Sequence, residues 1–420
     1  MKAVVVGQDL VTAWGRGPGA CWDGLLTGHP AFSPVTRFDT QAFPVHLAAT
    51  VAGLESCDGS LVMQMLAPLL APLAGTLPAD TLVVLATTTG EVDLLERALL
   101  APGGIGAPGA DESRLDVLLG RVMELVGLPN QLASSLNVGG AVPCRDRPSQ
   151  EHEMNRRRTE CASHIEGRPA SQSAGQIISC ACASSSAAIG HAAGLIAAGA
   201  RDSVLVVACD AVTEFVYAGF ASLMALDPDG ARPFDKDRKG LTVGEGAGYV
   251  WLMSEERARR EDRLSLGQVA GWGLTSDANH MTGPSRDGDG LARAIAQALT
   301  RAGEHPEDIG SISAHGTGTS YNDSMEMKAF KRVFGATPVP TYSVKGSVGH
   351  TMGATGLVQM LMALKSLGAQ TVPPSAHLNE PDPEAAGWVS NAATAVSGMR
   401  TVLSVNSGFG GVNAAVVIKL

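Results

Sequence analysis

The stretch QIISCACASSSAAIGHAAGLI, residues 176–196, joins a short apolar segment to a run of small residues with helical periodicity. It predicts a strand over residues 176–179 and a helix over residues 187–196. We therefore expect Cys182 at a sharp corner, near unpaired backbone N–H groups and the positive end of the helix dipole. Such a place lowers a thiol pKa and offers donors to an oxyanion beside the sulfur. Many free cysteines are only small buried apolar residues, so this stretch alone leaves both interpretations open.

Two histidines far downstream favour the catalytic interpretation. His315 lies in SAHGTGT, residues 313–319, and His350 lies in VKGSVGHTMGA, residues 344–354. Both are expected to follow strand-like segments and to lie in turns, where side chains reach into a cleft. Their neighbours are too small to crowd a substrate. Together with Cys182 they predict a Cys/His/His site for nucleophilic catalysis.

The chain resembles the β-ketoacyl-[acyl-carrier-protein] synthases, the condensing enzymes of fatty acid and polyketide assembly. The similarity runs in family order along nearly the whole sequence. Besides the cysteine stretch and both histidine motifs, the matching segments are VVVG (4–7), RPFDKDR (232–238), GEGAG (244–248), SDANHMT (276–282), VPPS (372–375), NEPD (379–382) and NSGFGG (406–411).

The resemblance implies an α/β fold of the thiolase-like type, a five-layer α-β-α-β-α arrangement built from two similar halves. Residues 1–254 would form the N-terminal half with the cysteine, and residues 255–420 the C-terminal half with both histidines. Short apolar runs such as residues 82–85 alternate with helical patterns such as residues 291–302, which independently indicates layered α/β structure. The two halves show no similarity to each other that is visible in the sequence.

The resemblance also implies the roles of the site residues. Cys182 would accept an acyl group as a thioester. His315 and His350 would stabilise the enolate that forms when a malonyl thioester loses CO2. Backbone N–H groups of Cys182 and Phe409 would hold the second oxyanion, and Lys345 would orient the histidine region.

Further residues of the same motifs are expected to contact substrate. The hydroxyls of Thr317 and Thr319 would bond the amides of a phosphopantetheine arm, and Phe409, between Gly408 and Gly410, would gate the acyl pocket. No cofactor and no metal is expected, because the phosphopantetheine arrives on an acyl carrier protein. That carrier is the expected partner.

Composition excludes several other classes of protein. The net charge of -10 in 420 residues argues against a nucleic-acid binder. The most apolar stretch, residues 61–77, is interrupted by Gln64, Pro68 and Pro72, so no membrane span is predicted. The seven cysteines lack the spacing of a disulfide framework or a zinc site, which predicts reduced thiols in the cytoplasm.

An assembly is expected as well. In the resembling family the strand before the cysteine lies at a two-fold interface, and an apolar edge strand left bare would invite aggregation. We therefore expect a dimer, either a homodimer or a heterodimer with a related ketosynthase chain.

Three features depart from the family pattern. Residues 139–176 are polar and charged, which suggests an exposed insertion, a docking surface for the carrier, or a frame error in the recorded sequence. Ser407 runs directly into Gly408 without the usual phenylalanine, which puts the gate geometry in doubt. Gln359 stands where the family commonly has glutamate, so Lys345 is expected to lack its ion-pair partner.

These departures leave an alternative function open, that of a catalytically impaired subunit resembling a chain-length factor or a scaffold. A chain-length factor would lack the nucleophile, and Cys182 argues against it. A degradative thiolase would carry a second cysteine in place of His350, and an initiating synthase would carry asparagine.

Overall fold

The computed structural model describes residues 1–56, 59–100, 111–129 and 175–420. Within these ranges, two groups of five strands form the framework. The first group is β1 (Ala3–Thr12), β2 (Leu82–Ala86), β3 (Gly175–Ile178), β4 (Ser203–Asp210) and β5 (Gly246–Ser254). The second group is β6 (Gly267–Ser276), β7 (Ser311–Ser313), β8 (Thr341–Tyr342), β9 (Thr401–Gly408) and β10 (Val412–Lys419).

Both groups have the same topology. The strand order is β3-β2-β4-β5-β1 in the first group and β8-β7-β9-β10-β6 in the second. In each, the first three strands of this order are parallel and the remaining pairings are antiparallel. Residues 3–5 of β1 also pair with residues 267–269 of β6 and so connect the two groups. The repeated order confirms the predicted pair of similar halves.

Helices cover both faces of these sheets. The helices of the first half are α1 (Pro18–Leu26), α2 (Leu61–Leu70), α3 (Val92–Leu100), α4 (Leu115–Leu125), α5 (Ser184–Ala197) and α6 (Glu214–Ser222). The helices that follow are α7 (Glu255–Arg260), α8 (Asp289–Ala302), α9 (Ser320–Phe334), α10 (Lys345–Val348) and α11 (Thr355–Ala369).

The layers follow from which residues pack together. Helices α5 and α11 contact each other and the sheets of both halves, so they form a central layer. Helices α2 and α4 cover the outer face of the first sheet, and α8 and α9 cover that of the second. All eight residues of β4 are buried, as expected for a strand with helices on both faces. The predicted five-layer thiolase-like fold is confirmed.

The central helices approach each other closely at their N-terminal ends. A Cβ atom on Gly356 of α11 would lie 2.1 Å from Ser186 Oγ and 2.6 Å from the backbone nitrogen of Ser186 on α5. The hydroxyl of Ser185 accepts a hydrogen bond of 3.0 Å from the N–H of Leu357. Only glycine permits this approach, which brings the start of α5 beside the segment that carries His350.

Helix α5 begins at Ser184, with Ala183 as its N-cap, so Cys182 lies directly before the helix as predicted, and the helix starts earlier than the predicted residue 187. One local prediction was wrong. The segment before His350 is the single helical turn α10, because Val344 already has helical backbone angles, and the strand ends earlier at Tyr342.

Of the polar segment 139–176, only its last two residues are described, and they belong to β3. In the part of the chain that the structure describes, no helix is long and apolar enough to cross a membrane.

The close approach of α5 and α11 gives a test of the fold. We expect Gly356→Ala to lower stability by roughly 1–3 kcal/mol, because the added methyl group meets backbone of α5 in an already packed core. The measurement is the midpoint of thermal unfolding. Gly368→Ala is the matched control on the same helix, since no atom lies within 4 Å of its added Cβ. It should stabilise slightly, and equal midpoints for the two variants would contradict this account of the packing.

Candidate active site

Cys182 lies at a corner between β3 and α5 that the backbone makes with an unusual conformation. Ala181 has a φ of 48°, in the left-handed region that residues with a Cβ atom rarely occupy. The hydroxyl of Thr88 donates a 3.2 Å hydrogen bond to the carbonyl of Ala181. From the other side, Gly408 packs so closely that a Cβ atom there would lie 2.9 Å from the carbonyl oxygen of Cys180. The sulfur is thereby fixed at the floor of a cleft.

His350 directly contacts the sulfur. Its Nε2 atom lies 3.0 Å from Cys182 Sγ. Its Nδ1 atom accepts the backbone N–H of Met352 at 3.2 Å and lies 3.2 Å from Thr355 Oγ1. A backbone N–H can only donate, so Nδ1 is unprotonated and the ring proton of neutral His350 is on Nε2, facing the sulfur.

His315 stands beside His350, with ring centroids 5.5 Å apart and ring planes at 88°. The ammonium group of Lys345 lies 3.1 Å from His315 Nδ1 and also donates to the carbonyl of His315. The backbone N–H groups of His315 and Gly316 donate to the carboxylate of Glu326 at 2.7 and 2.6 Å. Lys345 of α10 thus holds the ring of this histidine, and Glu326 of α9 holds its backbone.

Burial controls the protonation of these groups. It lowers the pKa of His315 and of His350 well below 6.5, and the charge of Lys345 lowers both pKa values further. Burial also lowers the pKa of Lys345, while the nearby Glu326 carboxylate acts in the opposite direction. Both imidazoles are therefore neutral at pH 7.

The predicted lowering of the cysteine pKa was wrong. Cys182 is 6% exposed, and burial raises the pKa of its thiol to about 11. The charge of Lys345 and the backbone N–H groups of Phe409 and Cys182 lower it, but less than burial raises it. Cys182 does lie beside the N-terminal end of α5, but burial has the larger effect on the pKa of its thiol. The resting side chain is a thiol at neutral pH.

A cavity of about 470 Å³ opens over these groups. Of the residues predicted to form the site, those that line it are Cys182, His315, His350, Thr317, Thr319, Gly408 and Phe409. Lys345 lies behind His315 and is fully buried. Gly410 does not line the cavity, and its φ of 82° instead turns the loop that carries Phe409. The hydroxyls of Thr317 and Thr319 lie 2.9 Å apart, close to the cavity wall.

Cys182 also lines a second, apolar cavity of about 200 Å³. Its walls include Phe215, Val216 and Met352. Phe220 and Phe409 line both cavities, with ring centroids 6.0 Å apart, and so form the partition between them. Phe220 could not be predicted from the sequence, because one aromatic residue on a short helix resembles an ordinary core residue.

The two departures near the site have structural explanations. The loop without the extra phenylalanine still places Phe409 beside Cys182, because Gly408 packs directly on the cysteine corner. Lys345 bonds to His315 rather than to a carboxylate at position 359. Gln359 is fully buried and donates to the carbonyl oxygens of Ser313 and Ala314 at 3.0 and 2.8 Å.

Comparisons with known proteins identify the family. Residues 168–258 match the model of the β-ketoacyl synthase N-terminal domain, and residues 266–379 match that of the C-terminal domain. The chain is 29% identical to the 3-oxoacyl-[acyl-carrier-protein] synthase 2 of Rhizobium meliloti, over 100% of this chain and 98% of that protein. It is 31% identical to a putative polyketide β-ketoacyl synthase 1 of Streptomyces halstedii, over 99% of this chain and 97% of that protein.

The solved structure of the ishigamide ketosynthase/chain length factor superposes with a TM-score of 0.79 at 29% identity, over 100% of this chain and 98% of that one. With sequence and structure matched over essentially their full lengths, the chain belongs to the β-ketoacyl synthase family.

Proposed function

We propose that this protein is a β-ketoacyl-[acyl-carrier-protein] synthase, an acyltransferase that condenses an acyl thioester with a malonyl thioester held on an acyl carrier protein. The observation that carries the proposal is the contact of Cys182 Sγ with His350 Nε2, with His315 beside it, at the meeting point of two cavities. A chain-length-factor-like subunit would not need this arrangement. The names of the relatives place the reaction in fatty acid or polyketide-type biosynthesis.

The first step is transfer of the acyl group to the cysteine. Cys182 Sγ attacks the thioester carbon, the bond to the pantetheine sulfur breaks, and the thiol proton ends on the released pantetheine thiol. Backbone N–H groups of Cys182 and Phe409 point toward the sulfur and are placed to hold the oxyanion. The acyl chain then occupies the apolar cavity behind Phe220.

The second step is decarboxylation of the malonyl thioester in the larger cavity. The electron pair of the breaking C–C bond moves to the thioester carbonyl, and the enolate oxygen accepts the Nε2–H groups of His315 and His350. Lys345 at His315 Nδ1 and the Met352 N–H at His350 Nδ1 fix both rings in this tautomer. Thr317 and Thr319 line the same cavity and are placed to bond the pantetheine arm.

The third step joins the two fragments. The enolate carbon attacks the thioester on Cys182, a C–C bond forms, and the C–S bond breaks. The sulfur recovers a proton, and the β-ketoacyl product leaves on its carrier. No step requires a metal or a further cofactor. Among the described residues, no cluster of ligating side chains suits a metal ion.

The assembly and the location are part of the same proposal. We place the protein in the cytoplasm, because the four cysteines that the structure describes are all free thiols. The residues 1–254 and 255–420 form the two ketosynthase halves, which contribute the cysteine and the histidines respectively.

Replacement of the nucleophile gives a direct test of the roles. We expect Cys182→Ala to abolish condensation while malonyl decarboxylation continues, because the two histidines still stabilise the enolate. Release of CO2 from a malonyl-carrier thioester measures the second activity. Intact-mass analysis after incubation with an acyl-carrier thioester should show an acyl adduct on the unmodified chain and none on the variant.

Cys180→Ala is the matched control, since the neighbouring thiol does not line either cavity. An adduct that persists in Cys182→Ala, or equal loss of both activities, would contradict the separate roles of the cysteine and the histidines.

The lowered pKa values of the histidines predict the pH dependence of decarboxylation. A histidine with a lowered pKa is neutral at every pH above that lowered value, and it becomes charged only as the pH falls through it. Because His315 and His350 both have a pKa well below 6.5, the decarboxylation rate should not fall between pH 8 and pH 6. The Cys182→Ala chain is the protein to measure, because it has no thiol at this site to titrate. An acid limb with an apparent pKa of 6.5 or above would show that the histidines titrate normally.

The free edge of β3 predicts a dimer. Among the described strands, β3 pairs only with β2, and it is the last strand of its sheet. Pairing with a second copy, or with a related chain, would cover this edge over an interface of more than about 2,000 Å². Sedimentation of the chain purified alone at micromolar concentration should show a dimer if the assembly is a homodimer. An insoluble or inactive chain would indicate a missing heteromeric partner, whereas an active monomer would contradict the prediction.

A further inference from the structure

Two buried amide side chains behind His315 have no role in the steps described above. Gln359 on α11 and Asn406 on β9 are both fully buried, and a buried polar side chain that lacks partners is costly. Here each side chain makes hydrogen bonds through both the oxygen and the nitrogen of its amide. Their hydrogen bonds form one continuous series from α5, the helix that follows Cys182, to the ring of His315.

The orientation of the Gln359 amide determines which group donates and which accepts in every hydrogen bond of this series. The Gln359 nitrogen lies 2.8 Å from the carbonyl oxygen of Ala314 and 3.0 Å from that of Ser313, and carbonyl oxygens can only accept. The Gln359 oxygen therefore faces Asn406 and accepts its Nδ2–H at 2.6 Å. The Asn406 oxygen must then accept, and it does so from the Ser186 hydroxyl at 2.6 Å.

The second hydrogen of the Asn406 amide has one remaining acceptor. Asn406 Nδ2 lies 3.3 Å from His315 Nδ1. This nitrogen thus receives a neutral donor in addition to the ammonium of Lys345. The two donors approach the same lone pair, so the ring proton of His315 is on Nε2, the nitrogen away from them.

We propose that Asn406 and Gln359 are positioning residues for His315, which hold its Nε2–H toward the substrate cavity through a chain of amides. Gln359 acts through Asn406, and neither side chain lines the cavity. Ser186 connects the same series of hydrogen bonds to α5. One set of bonds therefore fixes both the orientation of His315 and the position of the helix that follows Cys182. The inference rests on the proposed function, because it assigns these residues to the decarboxylation step.

In this chain Gln359 makes hydrogen bonds that the glutamate common in the family could not make. A carboxylate at position 359 would face the carbonyl oxygens of Ser313 and Ala314 and could not donate to them. Its charge would also oppose the field of Lys345 at His315. The charged and titratable groups around that ring are Lys345 at Nδ1, His350 and Cys182 across the cavity, and Glu326 on the backbone N–H.

The test measures malonyl decarboxylation in the Cys182→Ala chain. Asn406→Asp replaces the neutral donor at His315 Nδ1 by an acceptor, which opposes the effect of Lys345 and favours the tautomer with the ring proton on Nδ1. We expect kcat to fall about 100-fold, the usual loss for one oxyanion donor, while KM for the malonyl-carrier thioester changes little. A kcat equal to that of the parent chain would overturn the proposal.

Gln359→Glu gives an independent readout and decides the question if Asn406→Asp does not fold. Its carboxylate should stabilise the charged imidazole and move the acid limb of the pH profile upward by about one unit. A purely structural role of Gln359 would change stability without moving this limb. Gln370→Glu, at the end of the same helix, is the matched control, since Gln370 also donates to backbone carbonyls but lies away from the site.

The outcomes separate this inference from the function on which it rests. If the Cys182→Ala chain does not release CO2, the proposed function fails. If it does, and the pH profile of Gln359→Glu superposes on those of the parent and of Gln370→Glu, only the positioning role is wrong.

Discussion

The close contact between the N-terminal ends of α5 and α11 is the constraint on which the site depends. Gly356 leaves room for the backbone of Ser186, and this approach sets Cys182 of one half against His350 of the other. Neither half contains a complete site. The reactive groups meet because two helices, one from each half, share the central layer of the fold. The same packing that buries the largest apolar cluster of the molecule therefore assembles its chemistry.

Burial has opposite consequences for the groups of the site. It keeps both histidines neutral, which suits them as hydrogen-bond donors at pH 7. It also raises the pKa of the cysteine thiol, although backbone N–H groups and Lys345 oppose this effect. The dry environment strengthens each donor that faces a developing oxyanion. Decarboxylation thus gains from burial, whereas activation of the thiol relies on the fixed donors around the sulfur.

The two departures from the family pattern that lie near the site are compensated locally. Where a phenylalanine is missing, Gly408 packs on the cysteine corner and Phe409 still separates the two cavities. Where a glutamate is replaced, Gln359 satisfies backbone carbonyl groups and supports Asn406. The second change keeps the hydrogen bonds of the buried Gln359 amide complete, as buried polar groups require. These compensations favour an active enzyme over a scaffold subunit.

Local patterns in the sequence were enough to predict the strand and helix on either side of Cys182, the cysteine and the two histidines that the structure brings together, and the family, because small residues, glycines and turns leave short-range signals. The repeated strand order of the two halves was not visible, since topology can persist after side chains have diverged. The thiol pKa was predicted in the wrong direction, because burial depends on residues distant in sequence. The positions of Phe220 and Asn406 beside the site, and the partners of Gln359, could not be predicted from the sequence. These side chains contact residues on other helices and strands, and tertiary packing alone decides which of those residues lie close enough to contact.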